Sequence, residues 1–294
     1  MVMIDAHQHV WNLERSPYRW LKAPQLAAID RSISFEEGVP HLDSAGVDGS
    51  VLVQADDDDG DTDVMLETAA AQPRVVGVVG WVPLDDPERA ERRLRELASP
   101  VFVGVRALIH DMPDPDWILR PEVDAGLGVL ERLGLSFDYV AVLPRHLENA
   151  VTVGQQHPGL RIVIDHLAKP PIGLPDREPW WSLIARVAEN PLVTAKLSGL
   201  YSATSDVAAW TVDELDPFVD RALEVFGPRR LMYGGDWPFS IPAGDYPRTW
   251  AAAKRVLDRL GDDDRSEVLA GTAIRHYRLD AQRIAAAVGE RNGR

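Results

Sequence analysis

Near its start the chain reads Ile4, Asp5, Ala6, His7, Gln8, His9, Val10, which sets two imidazoles two residues apart behind a short apolar run. Side chains at i and i+2 of an extended strand project to the same side, so His7 and His9 would share one face and could grip a single metal ion. The same pattern also suits two polar residues at a solvated strand end, because short motifs recur by chance. What changes the balance is the set of polar residues that close other apolar runs: Arg106 in VFVGVRAL, Asp138 in LSFDYV, Asp165 and His166 in LRIVIDH, Lys196 and Ser198 in LVTAKLSGL, and Asp236 in RLMYGGD. If those runs are neighbouring strands, two histidines, a third histidine and an aspartate can converge on one point.

The elements that must position them follow from the apolar pattern. MIDAH, GSVLVQA, VVGVVGWV and the four runs above with RLMYGGD make eight strand candidates, mostly continuous apolar stretches, as suits a parallel sheet covered on both sides. Between them lie DVMLETAAAQ, PERAERRLRELA, EVDAGLGVLERLG, PRHLENAVTVGQQHPG, PWWSLIARVAENP and TVDELDPFVDRALEVFGP, several ending in Gly or Pro as helices do. Repeated strand-helix alternation predicts a single (β/α)8 barrel domain over residues 1–294, with a C-terminal helical extension and an Arg/Ala-rich tail that carries no readable chemistry. In such barrels chemistry gathers at the carboxyl ends of the strands, where the residues above fall. The acidic stretch from Ala55 to Asp63 fails the register of a calcium loop and is expected to be a solvated loop.

Composition removes other classes. No cysteine is present, which excludes disulfides, thiolate catalysis and sulfur-ligated zinc, so any metal must sit on His and carboxylate groups. A net charge of −15 argues against nucleic acid as a partner. A hydrophobic content of 45% without a run of 18 or more apolar residues argues against a membrane protein, and no secretory leader is readable, so a cytoplasmic location is expected. A homo-oligomer is compatible with the sequence, which does not specify one.

DAHQHVW, GVRAL, FDYV, VIDHLAKPPI, AKLSGL and MYGGDWP, in this order from Ile4 to about Leu279, resemble the amidohydrolase superfamily. Within it they resemble the sugar-lactonase-like branch, which holds L-fucono- and L-rhamnonolactonases, 4-sulfomuconolactonase and 2-pyrone-4,6-dicarboxylate lactonase. The resemblance implies a barrel enzyme that hydrolyses a lactone. It puts His7, His9, His166 and Asp236 at the metal-site and general-base positions, and Arg106 and Lys196 near the substrate. One departure is Gly235 where many relatives carry Ser, which removes a hydroxyl and is expected to widen the pocket. Another is Arg106 where binuclear members bring a bridging lysine or glutamate, so one metal is expected and not two.

With that ligand set, zinc is the expected ion and manganese also accepts it, while activity without tightly bound metal stays open. The ion would lower the pKa of water to about 7 and polarise an ester carbonyl. Asp236 would take the water proton and later return it to the departing ring alkoxide, and His166 either ligates or orients the water. Arg106 offers a planar fork for an acid group, Lys196 a point charge, Asp138 a second carboxylate, and Trp237 a face for a sugar, whereas Trp11, Trp20, Trp81 and Tyr18 are expected to pack. His41, His110, His146, His157 and His276 are expected on the surface or in packing roles. The leading function is hydrolysis of a sugar-acid lactone. The alternatives are a metal-dependent decarboxylase on the same barrel and a barrel that binds ligand without turnover. Substrate choice is expected to lie in WNLERSPYRWLKAP, IHDMPDPDWILRP and PFSIPAGDYPR, the loops after strands 1, 4 and 8.

Overall fold

Valine and isoleucine runs that are buried on both faces form the strands, because branched side chains suit a pleated, fully covered sheet. In the computed structural model, which describes residues 2–293, these are β1 (Ile4–Gln8), β2 (Gly49–Val53), β3 (Val75–Gly80), β4 (Phe102–Ala107), β5 (Ser136–Tyr139), β6 (Arg161–Ile164), β7 (Val193–Leu197) and β8 (Leu231–Tyr233). They pair in parallel in the order β1 to β8. The ends approach closure where the His9 amide donates to the Trp237 carbonyl at 2.8 Å and the Asp236 amide donates to the His7 carbonyl at 2.8 Å. The expected (β/α)8 barrel is therefore the fold.

The intervening helices are α1 (Phe35–Ala45), α2 (Asp59–Ala71), α3 (Pro87–Leu97), α4 (Pro121–Leu133), α5 (Pro144–Gln156), α6 (Trp180–Ala188), α7 (Val212–Phe226) and α8 (Asp245–Leu257). Helix α1 starts with a capping box between Ser34 and Glu37 and continues through Pro40. After β8 come α9 (Asp262–Ser266), a π-helical turn, α10 (Thr272–Tyr277) and α11 (Ala281–Asn292). The tail is thus a helix with a structural role. The Arg283 guanidinium donates to the carbonyls of Val75 at 2.8 Å and Ala69 at 2.7 Å, and Arg291 pairs with Asp48 at 3.0 Å. Both contacts lie at the amino ends of strands, where Tyr277, Leu279 and Ala287 join a cluster with Ile4, Val51, Val76 and Val163. The barrel interior is plugged from below, and the open end is the one that carries His7 and His9. No helix among the described residues is long and apolar enough to cross a membrane.

The acidic stretch departs from its expectation as a solvated loop. Asp58 caps α2 by accepting from the Gly60 amide at 2.7 Å, and Asp59 and Asp61 occupy the first turn, where the helix dipole favours carboxylates. Asp56 accepts from Ser16 Oγ at 2.7 Å and the Tyr18 amide at 2.8 Å, and buried Asp61 accepts the Tyr18 hydroxyl at 2.7 Å. These carboxylates clasp the loop that follows β1 and so fix one wall of the cavity described next.

Candidate active site

Alternation along β1 turns His7 and His9 to the same side, and both are buried. Their Nε2 atoms stand 3.1 Å apart. His9 Nδ1 lies 2.7 Å from the Val53 carbonyl, which can only accept, so the His9 proton sits on Nδ1 and Nε2 presents a lone pair. His7 Nδ1 lies 3.0 Å from Lys196 Nζ, which can only donate to it, and 3.5 Å from Asp165 Oδ1.

His166 arrives from β6 through an unusual turn. His166, Leu167, Ala168 and Lys169 have φ of 53°, 51°, 59° and 49°, a run of left-handed residues that L side chains disfavour. The turn is held by the buried Leu167 side chain and by the Trp180 indole, which donates to the Leu167 carbonyl at 2.7 Å. It brings the His166 ring within 4.6 Å of the His7 ring, with Nδ1 2.9 Å from Ser198 Oγ. Asp236, also left-handed at φ 53°, places Oδ1 3.4 Å from His9 Nε2 and 3.7 Å from His7 Nε2, while Oδ2 accepts the Tyr201 hydroxyl at 2.7 Å. Gly199 makes this approach possible: a Cβ there would lie 2.4 Å from Asp236 Oδ2 and 2.5 Å from His166 Nδ1.

The electrostatics suit a cation. Burial lowers the proton affinity of all three imidazoles, with His166 drawn down to about 4, so they are neutral donors near pH 7. Burial works against the Asp236 charge, but the positive charge that His166, His9 and His7 take on when protonated in acid more than offsets this and holds the carboxyl below its usual range. Ligand atoms of His7, His166 and Asp236 lie within 4.8 Å of one another, and His9 Nε2 points into the same space. Three neutral imidazoles and one ionised carboxylate form a donor set that fits a single divalent ion.

Beneath this floor runs a line of buried charges. Lys196 pairs with Asp138 at 2.5 Å and Asp165 at 3.1 Å, Asp138 accepts the Tyr277 hydroxyl at 2.6 Å, and Arg106 Nη1 reaches Asp165 at 3.0 Å. Lys196 and Asp138, expected at the substrate, are fully buried and lie outside the cavity lining. Arg106 does line it, with Nη2 on the Gln54 carbonyl at 2.6 Å and Nε without an acceptor among the described residues.

The cavity above measures about 640 Å³ and takes Trp20, His110 and Phe239 from the loops after β1, β4 and β8. Trp20 stacks on Phe239 with centroids 4.8 Å apart and donates to the Ala55 carbonyl at 2.7 Å. Trp237, expected to face a sugar, instead lies in the core, where a Cβ on Gly38 would come within 3.0 Å of its ring. The left-handed turn at Asp236 sends it away from the cavity, and Trp20 and Phe239 supply the aromatic surface. Nor does Gly235 widen the pocket, since a Cβ there would meet the Tyr246 ring at 2.2 Å. His276 is buried below the barrel on Ser136 and Thr194, in a packing role, and His110 is exposed at the rim. Tyr201 and Lys169 were missed as site residues, although Tyr201 follows AKLSGL directly and Lys169 lies within DHLAKP.

A family model described as amidohydrolase matches residues 4–279. The chain belongs to the amidohydrolase family. An L-fucono-1,5-lactonase of Burkholderia ambifaria is 37% identical over 283 residues, spanning 94% of this chain and 96% of that protein. Another L-fucono-1,5-lactonase, from Burkholderia multivorans, is 30% identical over 290 residues, spanning 94% and 96%. The crystal structure of an amidohydrolase from Burkholderia multivorans with bound zinc superposes on this amidohydrolase with a TM-score of 0.89 at 28% identity, over 95% of this chain and 100% of that one.

Proposed function

We propose that this amidohydrolase opens a sugar-acid lactone to the free hydroxy acid, with Asp236 as general base. The observation that carries the reading is the convergence of His7, His9, His166 and Asp236 on the floor of a closed-bottom cavity, in a chain similar over nearly its whole length to L-fucono-1,5-lactonases. Those four residues would hold one divalent ion, zinc in the first place and manganese in the second. When bound, such an ion supplies Lewis acidity that polarises an ester carbonyl and acidifies water.

The protein supplies the rest. Asp236 is ionised and borders the imidazole cluster, so it can take a proton from an attacking water. Val53 and Lys196 orient the His9 and His7 rings through their Nδ1 atoms, and Asp138 and Asp165 hold Lys196 in place. Arg106 lines the cavity, where its guanidinium would meet a carbonyl, hydroxyl or acid oxygen of the substrate. The Trp20–Phe239 face packs against the apolar side of a sugar ring.

The direct test is acid release in weak buffer from a panel of aldonolactones run beside hydroxybenzoates, whose absorbance reports decarboxylation. Release from lactones alone is the expected result, and loss of hydroxybenzoate absorbance without it would replace this reading by the decarboxylase. Dialysis against a chelator should lower the lactonase rate at least about tenfold, with recovery on adding zinc or manganese. Full activity in chelator, with no stoichiometric ion by elemental analysis, would remove the metal requirement.

Arg106→Lys is expected to lower kcat/KM at least about tenfold, roughly 1.4 kcal/mol, because an ammonium cannot span Asp165 and the Gln54 carbonyl and still turn a donor to the substrate. Steady-state kinetics check this, and an unchanged kcat/KM would leave Arg106 as a partner of Asp165 only.

A further inference from the structure

The left-handed turn that delivers His166 delivers a second group to the same cavity. Lys169 closes the turn, and its side chain is half-buried in the wall beside Tyr201, Ser202 and Asp236. Its ammonium donates to Ser202 Oγ, whose own hydroxyl donates to the Gly199 carbonyl at 2.5 Å. Lys196 and Arg106 each pair with a buried carboxylate, whereas no carboxylate among the described residues forms an ion pair with Lys169. A strained left-handed backbone therefore places in the cavity, next to the proposed base, an ammonium that no described carboxylate pairs.

Opening a lactone needs a proton at a place the base does not serve. Asp236 Oδ1 faces the imidazoles and Oδ2 is taken by the Tyr201 hydroxyl. Tyr201 gives its hydrogen bond to Asp236, the guanidinium of Arg106 does not release its proton, and His110 lies exposed at the rim. We propose that Lys169 is a catalytic residue, the general acid that protonates the ring oxygen as the lactone opens. The inference rests on the lactonase reading above. Water adds to the carbonyl carbon while Asp236 takes its proton, leaving a tetrahedral oxyanion. The oxyanion pair re-forms the C=O bond, the bond from carbon to ring oxygen breaks, and that oxygen takes its electron pair and a proton from Lys169 Nζ. The amine regains a proton from solvent as Asp236 returns one, so one water and one lactone become one hydroxy acid.

A general acid matters for a poor leaving group and little for a good one. An aliphatic alkoxide is strongly basic, whereas a phenol titrates near about 10. The experiment therefore compares an aldono-1,5-lactone with dihydrocoumarin, a lactone that expels a phenolate. K169M should lose at least about tenfold in kcat on the aldonolactone and less than about twofold on dihydrocoumarin. K169A should recover aldonolactone turnover as methylammonium is added. Equal losses on both substrates, or no loss on the aldonolactone, would overturn the proposal. If the wild type opens aldonolactones but leaves dihydrocoumarin intact, the methylammonium titration decides: a rising rate supports Lys169 as the acid and a flat one overturns it. A wild type inert to every lactone fails at the lactonase reading itself.

Discussion

Asn in place of Asp236 is expected to cost at least about two orders of magnitude in kcat, the usual scale for a general base, while the barrel stays folded. The shape survives the change. An Asn carbonyl can accept the Tyr201 hydroxyl as Oδ2 does at 2.7 Å, and its amide can donate to the lone pair of His9 Nε2, now 3.4 Å from Oδ1. What disappears is the negative charge and the basicity. The variant must also bind a cation less well, because a ligand oxygen has lost its charge, so kcat is measured at saturating metal with the metal content determined in parallel. A fully metallated variant with near-normal kcat would exclude Asp236 as the base. No neighbouring carboxylate can then step in easily. Asp138 is buried against Lys196 and Tyr277, and Asp165 is held by Lys196 and Arg106, both below the cavity floor.

The barrel was legible because its strands are continuous apolar runs, and the polar residues that end them were legible as candidates for the same reason. Depth was not. Lys196 and Asp138 sit on strands whose ends face the site, but strand tilt and stagger set whether a given residue reaches the cavity or lies below it, and neither is written in a local motif. Direction failed in a similar way at Trp237, because the sign of φ at Asp236 decides which side the next residue takes. The acidic stretch read as a solvated loop on charge alone, because the partners that bury it, Ser16 and Tyr18, come from a distant part of the chain. Lys169 escaped notice because a left-handed turn of non-glycine residues has no composition signal; only the fold, which buries Leu167 and engages its carbonyl, makes it affordable.

Lys196→Met should destabilise the fold by about 3–5 kcal/mol, the scale for removing one partner of a buried ion pair, and lower Tm by roughly 6 °C or more. Methionine keeps the unbranched stem, so packing is nearly retained and the charge is what is lost. With the ammonium gone, Asp138 and Asp165 share the low-dielectric barrel interior, and among the described residues the remaining side-chain cation paired with them, Arg106, serves Asp165. Asp138 keeps only the hydroxyls of Tyr277 and Ser136. A second substitution, Asp138→Asn, removes the stranded charge and keeps an acceptor for Tyr277, so the double variant should be more stable than Lys196→Met alone. The pH dependence has a definite sign. Burial already raises the Asp138 pKa against the pull of Lys196, and losing Lys196 raises it further. A carboxyl whose folded pKa lies above its unfolded value of about 3.9 favours the native state at low pH, and that contribution fades as pH rises through the folded pKa. The stability deficit of Lys196→Met relative to wild type should therefore shrink between pH 7 and pH 5. Denaturant melts of both proteins at the two pH values read it directly. A deficit under about 1 kcal/mol at pH 7, or one that grows on acidification, would mean that Asp138 is not held ionised by Lys196 and that the charge line below His7 does not stabilise the site.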